Sequence, residues 1–290
     1  RNAAILVPDG DGVDADGDLN IVLVGDSTVI GGGSYGCGVS ADRDLTVRCG
    51  ITGGSLTTDG DIGLYAGGDM NICGGADVTA AGSHERGIFS EGSIAVRGYG
   101  TEVTATGGSD DSGYWDGIYA YENVIVADYA KVTAAGEWGG VVAYGDVAIR
   151  SGADVAATGE RERGIYAAGS ITVQGCGTEV TAASGTDIAG YQNEGLYAGE
   201  DIPVTDRATV TAFGGWNAIG AGDDVTIRGG AVVRAASEAA NGIHVYGNIT
   251  VEGQYTKVTA IGGSQGQAIG GILQTTLPVW EGNTARTAQA

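Results

Sequence analysis

Lysine is almost missing from this chain. Lys131 and Lys257 are the only two, and 14 basic residues face 36 acidic ones, for a formal net charge of −22. Phosphate backbones are gripped by a basic face, so this balance argues against nucleic acid as a partner. No apolar run approaches the length of a membrane-spanning helix, so no membrane insertion is expected. The two histidines, His84 and His244, lie far apart in the sequence. With no G-x-S-x-G, H-E-x-x-H or phosphate-loop pattern present, the chain is read as not an enzyme. The four cysteines (Cys37, Cys49, Cys73 and Cys176) lack metal-ligand spacing. They are expected to be free small core residues, with a Cys49–Cys73 disulfide as the alternative. Proline (3), phenylalanine (2) and methionine (1) are equally sparse, which fits a thin aliphatic core. The chain begins at Arg1 rather than Met, so the expectation is a removed signal peptide or a trimmed start.

Glycine, by contrast, is abundant, at 56 residues, and it is periodic rather than scattered, which argues for corners rather than disorder. Residues 87–107 (GIFSEGSIAVRGYGTEVTATG) recur as 164–183 (GIYAAGSITVQGCGTEVTAA) and 242–262 (GIHVYGNITVEGQYTKVTAIG). Aligning the starts at Gly63, Gly87, Gly117, Gly140, Gly164, Gly195, Ala218, Gly242 and Ala268 gives steps of 24, 30, 23, 24, 31, 23, 24 and 26 residues. Such steps are too short for helical-hairpin repeats. Each unit carries three short segments of period-2 alternation, the strand signature. In the unit from Gly63, Leu64, Ala66, Met70, Ile72, Val78 and Ala80 point inward, whereas Tyr65, Asn71, Asp77 and Thr79 point outward. Gly67-Gly68, Gly74-Gly75 and Gly82 are expected to supply corners with φ > 0.

Like residues line up from unit to unit. Leu45, Met70, Ile94, Val124, Val147 and Ile171 form one column, and Ala80, Ala105, Ala134, Ala157, Ala182 and Ala212 another. The predicted fold is all-β: a single-stranded right-handed parallel β-helix, a solenoid of about ten coils of 23–31 residues. At ~4.8 Å per coil it is about 48 Å long. A longer period runs through it, since the steps from Gly87 to Gly164 and on to Gly242 are 77 and 78 residues, which reads as a duplicated block of three coils. Residues 1–11 are read as an N-terminal cap, 12–271 as the repeats, and 272–290 as a C-terminal cap strand and tail.

Several features are candidates for function. Residues 9–18 (DGDGVDADGD) place Asp9, Asp11, Asp14, Asp16 and Asp18 at near-alternate spacing, which suits a calcium ion as cofactor because hard cations gather carboxylate oxygens. The EF-hand pattern fails there, and the segment also reads as the first coil. Tyr65, Phe89, Tyr119, Tyr166, Tyr197 and His244 form an outward stripe. Such rings stack on the sugars of an extended polysaccharide, or on each other as a ladder. Two long corner loops, 108–116 (GSDDSGYWD) and 184–194 (SGTDIAGYQNE), sit one long period apart and carry Tyr114, Trp115 and Tyr191. Loops on a rigid scaffold are where binding concentrates. Asp110, Asp111 and Asp116 beside Trp115 are the one compact acidic cluster that suits catalysis. An outward arginine column (Arg48, Arg97, Arg150, Arg228) pairs either with uronate carboxylates or with neighbouring acids.

The unit GIYA-x-G-x-I-T-V-x-G-x-x-x-x-V-T-A, as in residues 164–182, resembles repeats of secreted surface proteins of gut Gram-positive bacteria. These are usually described as carbohydrate-binding-domain-containing and are related to pectin-lyase-like right-handed β-helices. Residues 12–31 (GVDADGDLNIVLVGDSTVIG) are similar to that family's opening coil. The resemblance implies a secreted or cell-surface location, with polysaccharide and calcium binding. The expectation is therefore a non-catalytic extracellular protein that binds polysaccharide, a host or cell-wall glycan, or acts as an adhesin. The alternatives are a ligand-free stalk or display domain and, third, a polysaccharide lyase or hydrolase.

Overall fold

The computed structural model describes residues 2–33, 35–51, 53–108, 115–185 and 193–276. All the regular structure in them is β, and every strand pairs with its neighbours in parallel. Three strands make one turn, as in Leu64–Ala66, Met70–Cys73 and Asp77–Gly82. Each stacks on its counterpart in the next turn, building a β-solenoid of about ten turns with three faces. The first face contains Leu64–Ala66, the second Met70–Cys73 and the third Asp77–Gly82. The third face is an 11-stranded sheet running from Ala4–Leu6 to Lys257–Ile261. The first and second faces merge where Ile243–Glu252 and Ile269–Thr276 run through both without a break. Ala4–Leu6, within the segment read as a cap, pairs in register with the strand Ser27–Ile30 (Ala4 opposite Thr28). No described helix is long and apolar enough to cross a membrane.

The inward columns are stacked as the alternation implies. Ile94 sits between Met70 and Val124, Val103 between Val78 and Val132, and Ala105 between Ala80 and Ala134. All of these are at most 2 % exposed. Burying a Val, Leu, Ile or Met side chain contributes about 1.5–3 kcal/mol, so the core gains its stability rung by rung.

The corners differ from the expectation in a physical detail. Gly74 and Gly75 have φ of +66° and +77°, whereas Gly67, Gly68 and Gly82 do not enter the left-handed region. Those three are glycine for space: a Cβ would strike the backbone of an adjoining segment at Gly67 (Asp42) and Gly82 (Arg86), and the Asp44 carboxylate at Gly68. Left-handed backbone is concentrated at the corner between the second and third faces, where Asp128, Tyr129, Ser151, Asp206, Arg207 and Tyr255 adopt it without being glycine.

Side-chain ladders close the other corners. Between the first and second faces, Asp44 accepts a hydrogen bond from the Asp69 amide (2.9 Å). Asp69 accepts from Ser93 (2.8 Å), Asp146 from Ser170 (2.8 Å), Asp201 from Asp224 (2.9 Å) and Asp224 from Asn248 (2.7 Å). Much of the acidity therefore has a structural use. The long period also has one: Thr101, Thr178 and Thr256, spaced 77 and 78 residues apart, each accept from a glycine amide one turn back (3.0–3.1 Å).

All four cysteines are free. The expectation of small core residues holds for buried Cys37, but Cys49 and Cys73 are half-buried and Cys176 is exposed. The Cys49 thiol instead donates to the carbonyls of Gly54 (3.2 Å) and Gly75 (3.0 Å).

Candidate functional site: a missing rung at one corner

The corner between the third and first faces carries two side-chain columns. One is occupied by the residue just before each repeat start, successively Arg86, Asp116, Gly139, Arg163, Glu194, Asn217, Asn241 and Gln267. The other is the stripe two residues after the start: Tyr65, Phe89, Tyr119, Val142, Tyr166, Tyr197, Gly220 and His244.

The stripe is a packed ladder rather than an open platform. Tyr65 and Phe89 meet edge to face at 5.4 Å, and Phe89 and Tyr119 at 5.5 Å. Tyr166 and Tyr197 are stacked at 6.0 Å with 8° between their planes. Tyr119 is buried at 7 % exposure. Tyr65 spends its hydroxyl on Glu91 (2.9 Å). Arginines from the adjoining column cover the rings: the Arg86 guanidinium lies 4.1 Å from the Tyr119 centroid, and that of Arg163 lies 4.9 Å from Tyr166 and 4.7 Å from Tyr197.

The first column is continuous over most of its length. Arg86 pairs with Asp116 (3.6 Å) and Arg163 with Glu194 (3.1 Å). Asn217 donates to Glu194 (3.4 Å), and its side-chain oxygen accepts from the Asn241 amide (3.0 Å). Asn241 accepts in turn from Gln267 (2.9 Å). Between Asp116 and Arg163 the column has no side chain, because Gly139 stands there. On the same rung the aromatic column is cut back to Val142. Two truncations on one rung open a pocket of about 290 Å³. Tyr119 and Tyr166 bound it along the solenoid axis, Asp116 and Arg163 lie at the ends of the interrupted column, and Trp138 and Tyr144 add walls. Tyr144, 57 % exposed, spans the gap, with its ring 5.7 Å from Tyr119 and 6.4 Å from Tyr166.

The electrostatics are mixed. Arg86, Arg163, Asp116 and Glu162 all line the pocket, so it offers donors and acceptors together. Burial pushes the Asp116 carboxyl up to about 7, against the opposing pull of Arg86 and the Gly139 amide. Burial also raises Glu162 and Glu194, each opposed by Arg163.

The sign of the stability effect follows from these shifts. Unfolded Asp116 ionises near the ordinary carboxylate value, whereas folded Asp116 holds its proton to about 7. The contribution of Asp116 to stability is thus full at low pH and is lost as pH rises toward 7, by about 2–3 kcal/mol between pH 5 and 8 at ~1.4 kcal/mol per unit. Urea unfolding of the parent and Asp116→Asn at both pH values should show the parent losing ground to the variant at pH 8. Parallel behaviour at the two pH values would contradict the assignment. Glu162 and Glu194 are common to both proteins and cancel.

The sequence-level candidates are thus distributed unevenly. Tyr119 and Tyr166 face the pocket; Tyr65, Phe89 and Tyr197 stand elsewhere on the ladder. Trp115 lies one rung from Trp138, whose amide donates to the Trp115 carbonyl (3.2 Å). Tyr114 and Tyr191, with Asp110 and Asp111, lie outside the described residues. Of the acidic segment, Asp11 accepts from the Cys37 amide (2.5 Å) and Asp18 pairs with Arg43 (3.4 Å). Asp9, Asp14 and Asp16 are exposed, and Val13–Ala15 is a strand of the first turn. No three His, Cys, Asp or Glu side chains among the described residues are arranged to hold a metal ion. The sequence reading missed Arg86, Trp138, Tyr144, Glu162 and Arg163. Their signal was the one aliphatic residue, Val142, between Tyr119 and Tyr166 in the aromatic column.

No protein-family model matches the chain, and no curated protein and no solved structure matches it.

Proposed function

We propose that this protein is a non-catalytic, extracellular glycan-binding module or adhesin whose binding site is the pocket over Val142 and Gly139. The observation that carries the reading is the paired loss of side chains on one rung, which leaves aromatic rings, a carboxyl group and a guanidinium lining one cavity. A sugar ring needs those parts: an apolar face against an aromatic edge or plane, and hydroxyls that both donate and accept. Its volume lies at the small end of ligand sites, about 300–1,000 Å³. That fits a single sugar ring or chain end better than a polymer laid along the whole stripe. Surface location belongs to the same proposal, supported by the acidic, periodic composition.

A second reading, glycoside hydrolysis, draws on the raised carboxyls of Asp116 and Glu162. Each is opposed by an arginine, which favours a holding role over proton transfer. The test is a glycan array with the parent protein and Tyr144→Ala, a variant of an exposed side chain whose urea midpoint is expected to match the parent's. A neutral glycan retained by the parent and lost in Tyr144→Ala supports the pocket. Retention with no loss in the variant moves binding elsewhere. A bound glycan that is cleaved supports the hydrolase, and inertness across the array leaves a stalk.

A further inference from the structure

A second pocket, of about 380 Å³, lies at a different corner, between the second and third faces. Arg97 and Arg150 flank it, Ala127 forms its floor, and Ser151 and Gln174 border it. The arginines end the strands Ile94–Arg97 and Val147–Arg150, two turns apart, with the one-carbon side chain of Ala127 on the turn between. Arg48 holds the equivalent place two turns before Arg97, with Cys73 between them. Successive arginines are therefore about 9–10 Å apart at ~4.8 Å per turn.

These arginines have no acid to satisfy them, as is also true of Arg207, Arg228 and Arg234 among the described residues. Arg43, Arg86, Arg161 and Arg163 are all in ion pairs. Among the described residues, Arg48, Arg97 and Arg150 have none, and Arg97 and Arg150 are exposed. In a chain of net charge −22, a row of unpaired cations is not explained by the neighbouring surface.

Aromatic rings stand beside the row. Tyr99 and Tyr129 are 86 % and 64 % exposed, and their rings meet edge to face at 6.5 Å on adjacent turns of this corner. Tyr129 is held in left-handed backbone (φ +64°), and its ring lies across Gly152, where a Cβ would come within 2.5 Å of it. The duplicated block is an internal control. One long period on, Arg97 becomes Gln174, whose amide donates to Asp206 (2.8 Å), Tyr99 becomes Cys176 and Tyr129 becomes Arg207. Arg150 itself persists as Arg228, but without a second arginine two turns before it, so the pair of arginines across an alanine beside two tyrosine rings in contact is found in the first block and not in the second.

We propose that this corner binds an extended acidic polysaccharide running along the solenoid axis, with its carboxylate or sulfate groups on Arg97 and Arg150 and its sugar faces against Tyr99 and Tyr129. The spacing selects a polymer with one anionic group per disaccharide, since two turns separate the cations. Guanidinium groups bind such oxyanions through paired N–H donors. The acidic remainder of the chain does not prevent this at physiological salt. Screening weakens charges beyond about 8 Å, and among the residues lining the notch the two arginines outweigh the single acid, Asp128. The inference rests on the glycan reading for its ligand class but uses none of the residues of the first pocket.

The test is isothermal titration in 0.15 M salt with three probes: a hyaluronan decasaccharide (carboxylates only), a keratan sulfate oligosaccharide (sulfates only) and a neutral cello-oligosaccharide. The parent, Arg97→Gln/Arg150→Gln and Tyr144→Ala are compared. An anionic probe should bind the parent, bind the double arginine variant at least about tenfold more weakly, and bind Tyr144→Ala as it binds the parent. Whichever anionic probe binds identifies the oxyanion. Failure of both anionic probes to bind, or unchanged binding by the double variant, would overturn the proposal. Loss of a neutral glycan in Tyr144→Ala concerns only the first pocket.

Discussion

Gly139→Leu is expected to abolish glycan binding while leaving the fold intact. A Cβ at this position would come 2.5 Å from a methyl group of Val142 and 2.9 Å from a carboxylate oxygen of Asp116, both of them side-chain atoms rather than backbone. Most glycines of this fold differ, because a Cβ there meets the main chain of an adjoining segment, as Gly117 does at the Ala135 amide (2.7 Å). The same column carries Arg86, Asp116, Arg163, Glu194, Asn217 and Asn241 on other turns, so the backbone at this place accepts a side chain. Leucine would occupy the space between Tyr119 and Tyr166 and displace any ring from it. Affinity for a pocket ligand should fall at least about a hundredfold, since nearly all of its buried contacts are lost. The urea midpoint should stay close to that of the parent. Unchanged affinity would place the ligand elsewhere.

Ile165→Ala is expected to have the largest effect on stability among conservative truncations near the site. Ile165 is fully buried, stacked between Val141 and Leu196 in the first-face column. Removing its outer carbons leaves a cavity that closely stacked neighbours cannot collapse to fill, at a cost of about 2–5 kcal/mol. Against a typical domain stability of about 5–15 kcal/mol, that is a large share. Thr181→Ala, on the exposed side of the third face, should stay within about 0.5 kcal/mol. Chemical denaturation of the two variants checks the contrast. Equal losses would mean that the inward columns do not carry the fold's stability. Each turn contacts only its neighbours, so the Ile165→Ala loss should also appear as faster amide exchange in strands Val141–Ala143 and Leu196–Ala198 before it appears elsewhere.

The architecture was open to sequence reasoning because a solenoid writes its core into the chain at a fixed period. Ile94, Val124 and Val147 recur at the same place in each unit since each must fill the same slot, and period-2 alternation gives the face of each residue directly. The corner glycines were legible as corners but not in mechanism. Gly67 and Gly82 serve close packing, while left-handed backbone falls to Gly74, Gly75 and several non-glycine residues. The aromatic stripe was legible as a column, and of the two arrangements it allowed, rings open to sugars or rings packed on each other, the structure has the packed ladder. Phe89, Tyr119, Tyr166 and Tyr197 lie beneath Arg86 and Arg163 of the adjoining column, and two of those contacts, Arg86 on Tyr119 and Arg163 on Tyr197, join residues on different turns.

The site was harder to see for a different reason: it is made by subtraction. Gly139 and Val142 carry no chemistry of their own. Their effect is to leave no column side chain between Asp116 and Arg163 and no column ring between Tyr119 and Tyr166, with the Tyr144 ring reaching across from the side. A search for functional residue types passes over such positions, whereas a search for the odd member of each column finds them. The second corner shows the complementary case. The arginine column was visible in the sequence, but its lack of acidic partners and the exposure of Tyr99 and Tyr129 beside it are properties of the folded surface.

The most direct test of the binding account is a crystal structure of the protein with the best neutral ligand from the glycan array. The account predicts a sugar ring over Val142 and Gly139, between Tyr119 and Tyr166, with its hydroxyls on Asp116 and Arg163. A ring bound along Tyr65 and Phe89, or anywhere that leaves the pocket empty, would contradict it.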